Sequence, residues 1–73
     1  MTRVKIRLDT QAEVIKFVSI ANTITEDVML VDGSYNRVNA KSIIGCLYSL
    51  EFKELYVESE YTELANKFKD FLY

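Results

Sequence analysis

Residues 38–45 read Val38-Asn39-Ala40-Lys41-Ser42-Ile43-Ile44-Gly45, and the chain changes conformation within them. Tyr35 to Asn39 reads as a strand that ends as this stretch begins. Ser42 is of the residue type that caps a helix N-terminus, because its side-chain oxygen can accept a backbone N–H two or three residues on. Ile43, Ile44, Cys46, Leu47 and Leu50 then carry a short helix. The stretch is therefore a strand running into a capped helix.

On its N-terminal side, Val28 to Val31 is an apolar run of strand length, joined to Tyr35–Asn39 through Asp32-Gly33, a hairpin turn signal. Earlier still, Thr10-Gln11-Ala12-Glu13 fits a capping box, in which the Thr10 hydroxyl accepts the Glu13 N–H and the Glu13 carboxylate returns the bond. Val14, Phe17, Val18 and Ala21 follow at helical spacing, with Ile15 and Ile20 widening the stripe, and the helix should fade near Asn22-Thr23. Val4, Ile6 and Leu8 alternate with Arg3, Lys5 and Arg7, which is the period of a strand with one apolar and one basic face. On the C-terminal side, Leu55 and Val57 alternate with Glu54, Tyr56 and Glu58, which gives a fourth strand. Ser59 is placed to cap a last helix with the stripe Tyr61, Leu64, Ala65, Phe68, Phe71 and Leu72.

The order is βαββαβα. It predicts an α+β, two-layer open-faced sandwich: a four-stranded antiparallel sheet with three helices on one face and solvent on the other. The first and fourth strands carry opposite outward charges, Arg3, Lys5 and Arg7 against Glu54 and Glu58, and would gain about 0.2–1 kcal/mol per facing pair as neighbours.

Composition narrows the function. With 73 residues the chain is a single domain over 1–73, too small for a catalytic cleft between domains. A hydrophobic content of 49% against 27% charged residues places it with globular proteins. A net charge of −2 argues against nucleic acid and anionic membrane as partners. No apolar run approaches the length that spans a bilayer. The basic start, Met1 to Lys5, leads into alternation and not into the apolar core of a signal peptide. One cysteine forms no internal disulfide, so the chain reads as cytoplasmic. There is no histidine, which removes imidazole acid–base catalysis, histidine metal ligands and phosphohistidine. No metal-ligand spacing is present, and no metal or cofactor is expected. Cys46 lies in an apolar stripe and reads as a small core residue. Glu54, Glu58 and Glu60 read as solvated sheet-edge and helix-start charges, and Tyr48 and Tyr56 as residues able to add to a binding surface.

The stretch 38–45 resembles the HPr family, the small phosphocarrier proteins of the bacterial sugar phosphotransferase system. There, Val-Asn-Ala-Lys-Ser-Ile-Met-Gly leads from the third strand into the second helix, so seven of the eight residues match. Ser49-Leu50 is similar to the family's ending of that helix and Ala21-Asn22 to the end of its first, and the family order is the one read above. The family's active-site motif, Gly-Ile/Leu-His-Ala-Arg-Pro-Ala, corresponds here to Leu8-Asp9-Thr10-Gln11-Ala12-Glu13-Val14. Thr10 takes the place of the phosphorylated histidine and Ala12 that of the arginine that steadies the phosphoryl group. The turn before Arg37 is one residue longer than the family's, and the glycine-rich loop after the second helix is shortened to about Glu51–Lys53.

The resemblance implies a family member without catalytic residues: no enzyme, and a regulatory or protein-binding module. In Gram-positive members the serine matching Ser42 is phosphorylated by a dedicated kinase. Members that lack the histidine and keep this serine, the catabolite-repression HPr type, act in gene regulation. Ser42 is thus the candidate regulatory phosphorylation site, and Lys41, Ile43, Ile44 and Leu47 the candidate docking residues. The partners implied are proteins, such as a serine kinase or a transcriptional regulator. The alternatives are a sugar phosphotransferase carrier and an interaction domain repurposed outside that pathway. The sequence sets no oligomeric state.

Overall fold

The alternation at the N-terminus forms β1 (Thr2–Ile6). Thr10 caps α1 (Gln11–Ala21), which buries Val14, Phe17, Val18 and Ala21. β2 (Val28–Val31) and β3 (Arg37–Asn39) follow, then α2 (Ile43–Tyr48) capped by Ser42, β4 (Leu55–Ser59) and α3 (Leu64–Lys67). This computed structural model describes all 73 residues.

The four strands form one antiparallel sheet in the order β1-β4-β2-β3. β1 and β4 are neighbours as their charges suggested, with Arg3 opposite Glu58 and Lys5 opposite Tyr56. Alternation sends Ile6, Leu30, Leu55 and Val57 to one face, where they join Val14, Phe17, Leu64, Phe68 and Phe71 of the helical layer in one core. Phe17 anchors that layer, stacking on Phe68 at 4.7 Å between ring centroids and meeting Phe71 edge-on at 5.9 Å. Such pairs add about 0.5–1.5 kcal/mol to the burial of the rings. The other face carries Arg3, Lys5, Tyr56, Glu58 and Arg37 and has no layer above it.

Four elements differ from their sequence reading. The returning strand begins at Arg37, not Tyr35, because Asp32 closes a loop: its Oδ1 accepts the Ser34 and Asn36 N–H groups and its Oδ2 accepts from Asn36 Nδ2. The helix after Ser42 stops at Tyr48, and residues 49–51 form a single 3-10 turn. Ile15 does not widen the α1 stripe; it is 54% exposed, lying about 100° around the helix from Val14.

The last helix differs most. Its long stripe predicts helix to Leu72, yet α3 has four residues and Ala65 is exposed. Ser59 does not cap it. Ser59 ends β4, donating its hydroxyl to the Asp27 carbonyl and accepting the Tyr61 N–H. The chain leaves the helix because its end pairs with the outer edge of β1. Arg7 N–H donates to the Phe71 carbonyl at 2.8 Å, Tyr73 N–H donates to the Lys5 carbonyl at 3.2 Å, and Leu72 lies opposite Ile6. An open strand edge is a hazard, and this tail covers part of it.

Candidate functional site

Thr10 stands in extended backbone at the start of α1 with a complete capping box. Its Oγ1 accepts the Glu13 N–H at 3.1 Å. The Glu13 carboxylate accepts the Thr10 N–H at 3.2 Å and the Asp9 N–H at 2.7 Å. That carboxylate is thus turned to backbone donors and away from the hydroxyl it would have to deprotonate. Ala12 is exposed and brings no charge to this end of the helix. The nearby guanidinium of Arg7 is paired with Asp9 at 3.1 Å.

The second region is the turn into α2. Asn39 organises it: its side chain accepts the Lys41 N–H at 2.9 Å and its carbonyl accepts the Ser42 N–H at 3.0 Å. Ser42 is half-buried, and its Oγ accepts the Gly45 N–H at 3.2 Å. Gly45 faces β3, and a Cβ there would meet Val38 Cβ at 3.4 Å, an ordinary contact. The Lys41 ammonium reaches the Thr25 carbonyl at 3.5 Å, and the Asn22 side chain ties the Lys41 carbonyl to the end of α1. Ile43 and Ile44 are 47% and 83% exposed, while Leu47 is half-buried against the core. Cys46 is fully buried, and burial pushes its thiol up to about 11. A nucleophilic thiolate needs the opposite environment.

These two regions are separate. Asn22 at the C-terminal end of α1 holds Lys41, and Asp9 at its N-terminal end shares a cavity wall with Leu50, beyond the far end of α2. The helices run antiparallel, so Thr10 and Ser42 lie at opposite ends of the pair. An 11-residue helix sets them about 16 Å apart along its axis. Ser42, Ile43 and Ile44 are consecutive around one helix start; Thr10 and Ala12 are not part of that surface.

The open sheet face holds a charge cluster that sequence reading missed. Glu58 is not a solvated edge charge. Its side chain is 12% exposed, with Arg3 Nε at 3.7 Å and Arg37 Nη2 at 3.3 Å. β4 is an inner strand, so Arg3 arrives from β1 on one side and Arg37 reaches over β2 from the other. The Arg3 guanidinium also lies 4.1 Å from the Tyr56 ring centroid. Gly33, at φ +87°, passes under that ring; a Cβ there would meet Tyr56 Cε2 at 3.0 Å. The only signal for the cluster was the opposite charge of β1 and β4, which identified the strands as neighbours but not the part played by Arg37.

No protein-family model and no curated protein matches this sequence. Among solved structures the chain is similar to the crystal structure of a phosphocarrier protein HPr from Bacillus anthracis str. Ames, at 25% identity and a TM-score of 0.62, over 94% of this chain and 87% of that one. The architecture is therefore that of an HPr-like open-faced sandwich. No helix is long and apolar enough to cross a membrane.

Proposed function

We propose that this chain is an HPr-like protein-binding module, without phosphohistidine carrier activity and without enzymatic activity, controlled by phosphorylation at Ser42. The observation that carries the reading is Thr10. A carrier must take up a phosphoryl group and give it away again. A phosphoramidate on imidazole does this readily, whereas a threonine ester is stable and its hydroxyl needs a base to form one. The chain has no histidine, and the Thr10 hydroxyl is occupied as a helix cap with no side-chain base bonded to it.

Ser42 fits a switch better. The kinase would transfer the γ-phosphoryl group of ATP to Ser42 Oγ, with loss of the hydroxyl proton and release of ADP. The product adds about two negative charges beside Ile43 and Ile44, which are already exposed to a partner. Lys41, Ile43, Ile44 and Leu47 form the docking surface, and a transcriptional regulator is the class of partner that reads it.

The test is the intact mass of the chain after incubation with ATP and the HPr serine kinase, with Ser42→Ala as control. The reading expects one added phosphate, absent from the control. No added phosphate favours a second reading, an interaction domain repurposed outside the sugar pathway. The Ser42 bond to Gly45 N–H and the turning of the Lys41 ammonium toward Thr25 speak for that second reading.

A further inference from the structure

The far end of α2 opens onto a groove. Tyr48 lies one turn beyond the exposed Ile44 and is itself 58% exposed. Its ring meets Phe52 edge-on, with centroids 5.6 Å apart. Both residues line a cavity of about 640 Å³ between the end of α2 and the β2–β3 loop. Asp32, Glu51 and Glu54 stand around it, against a single cation, Lys53. Three carboxylates and one ammonium give the groove a charge of −2, equal to that of the whole chain. Glu51 and Lys53 make no ion pair, while Glu54 shares its charge with Lys5 at 3.5 Å. Hydrogen bonds from the Asn36 side chain and the Ser34 N–H hold the Asp32 carboxyl below its ordinary range, so it stays charged.

We propose that this groove binds an arginine-bearing segment of a partner protein. The aromatic pair accepts the apolar stem and the flat face of a guanidinium. The carboxylate rim sets the charge of the occupant: it attracts a cationic segment and repels an acidic one. An aromatic pair alone would accept any aliphatic chain; the rim removes that ambiguity. The inference rests on the protein-binding reading above and names a partner chemistry for it, but it does not require phosphorylation of Ser42.

The test is a titration of the ¹⁵N-labelled full chain with a short synthetic peptide of alternating arginine and leucine, followed by amide shifts. Shifts should cluster at residues 32–36, at Tyr48 and at residues 51–54, and a glutamate-for-arginine peptide should produce none. Glu51→Lys should weaken binding by about tenfold or more, as should Tyr48→Ala, both at exposed positions. Glu60→Lys, in the separate acidic region near Glu26 and Asp27, should leave binding unchanged. The proposal is overturned if no shifts occur, if they centre on Glu26, Asp27 and Glu60, or if Glu51→Lys binds as well as the parent. Failure of the Ser42 kinase assay would leave this result untouched.

Discussion

Thr10 and Glu13 cap the first helix reciprocally, each accepting the other's backbone N–H through its side chain, at 3.1 and 3.2 Å. Thr10→Ala removes one acceptor and should cost about 0.5–2 kcal/mol. In a domain of this size each kcal/mol lowers Tm by about 4–8 °C. Thr10→Ser keeps the acceptor and should cost little. Thermal unfolding of the pair checks this, and equal stability of Thr10→Ala and the parent would remove the cap assignment.

Glu58 is the most enclosed carboxylate on the open sheet face, held by Arg3 and Arg37. Glu58→Ala should lose about 1 kcal/mol or more, because it leaves two guanidinium groups facing each other across the sheet. Glu60, which pairs only with the N-terminal ammonium at an exposed site, should tolerate alanine at a cost of about 0–1 kcal/mol. Urea midpoints measured in low and high salt separate the two, with the Glu58 difference shrinking as salt rises.

The loop closed by Asp32 carries its own pH dependence. Hydrogen bonds from Asn36 and Ser34 lower the Asp32 carboxyl from 3.8. A group whose folded value is depressed contributes stability above its unfolded value, and that contribution is lost as pH falls through the folded value. The Ser34 and Asn36 amide signals should therefore hold steady down to about pH 4 and move only below it. Asp32→Asn should abolish the acid transition, and a transition centred near neutrality would contradict the assignment.

Cys46 should be unreactive in the folded chain. Its thiol, raised from 9.0 to about 11 by burial, remains protonated at neutral pH and points toward the Ala40 carbonyl at 3.5 Å. Folding favours the neutral thiol, so this contribution to stability is complete below pH 9 and is lost as pH rises toward 11. Labelling with a disulfide reagent at pH 8 should proceed at the rate of unfolding and become rapid in urea. Fast labelling of the native chain would show an open thiol.

The parts of the fold legible in the sequence are those with local causes. Thr10-Gln11-Ala12-Glu13 announced the start of α1 because a capping box is closed within four residues. Arg3 to Ile6 announced β1 because one face meets the core and the other meets water. The end of the chain was misread because its cause is distant: Tyr61 to Leu72 has helical spacing, but after a 3-10 turn at Lys69–Phe71 the backbone bonds to Arg7 and Lys5 in a single bridge. Glu58 was misread for the same reason, since its burial depends on Arg37 reaching across β2. At the candidate site, sequence spacing identified Ser42 and Thr10 as caps. It carried no measure of their separation, which follows from the antiparallel packing of α1 and α2. The Tyr48–Phe52 groove was legible only as a tyrosine able to add to a binding surface, because its acidic wall includes Asp32, which is distant in sequence and reaches the groove through the β2–β3 loop.

The central claim is that an HPr-like fold here carries no transferable phosphoryl group, and phosphotransfer from enzyme I of the sugar phosphotransferase system tests it most directly. Mixed with phosphorylated enzyme I, this chain should keep its mass while an HPr control in the same reaction gains one phosphate. A gain of one phosphate by this chain, passed on to a downstream acceptor, would contradict the account.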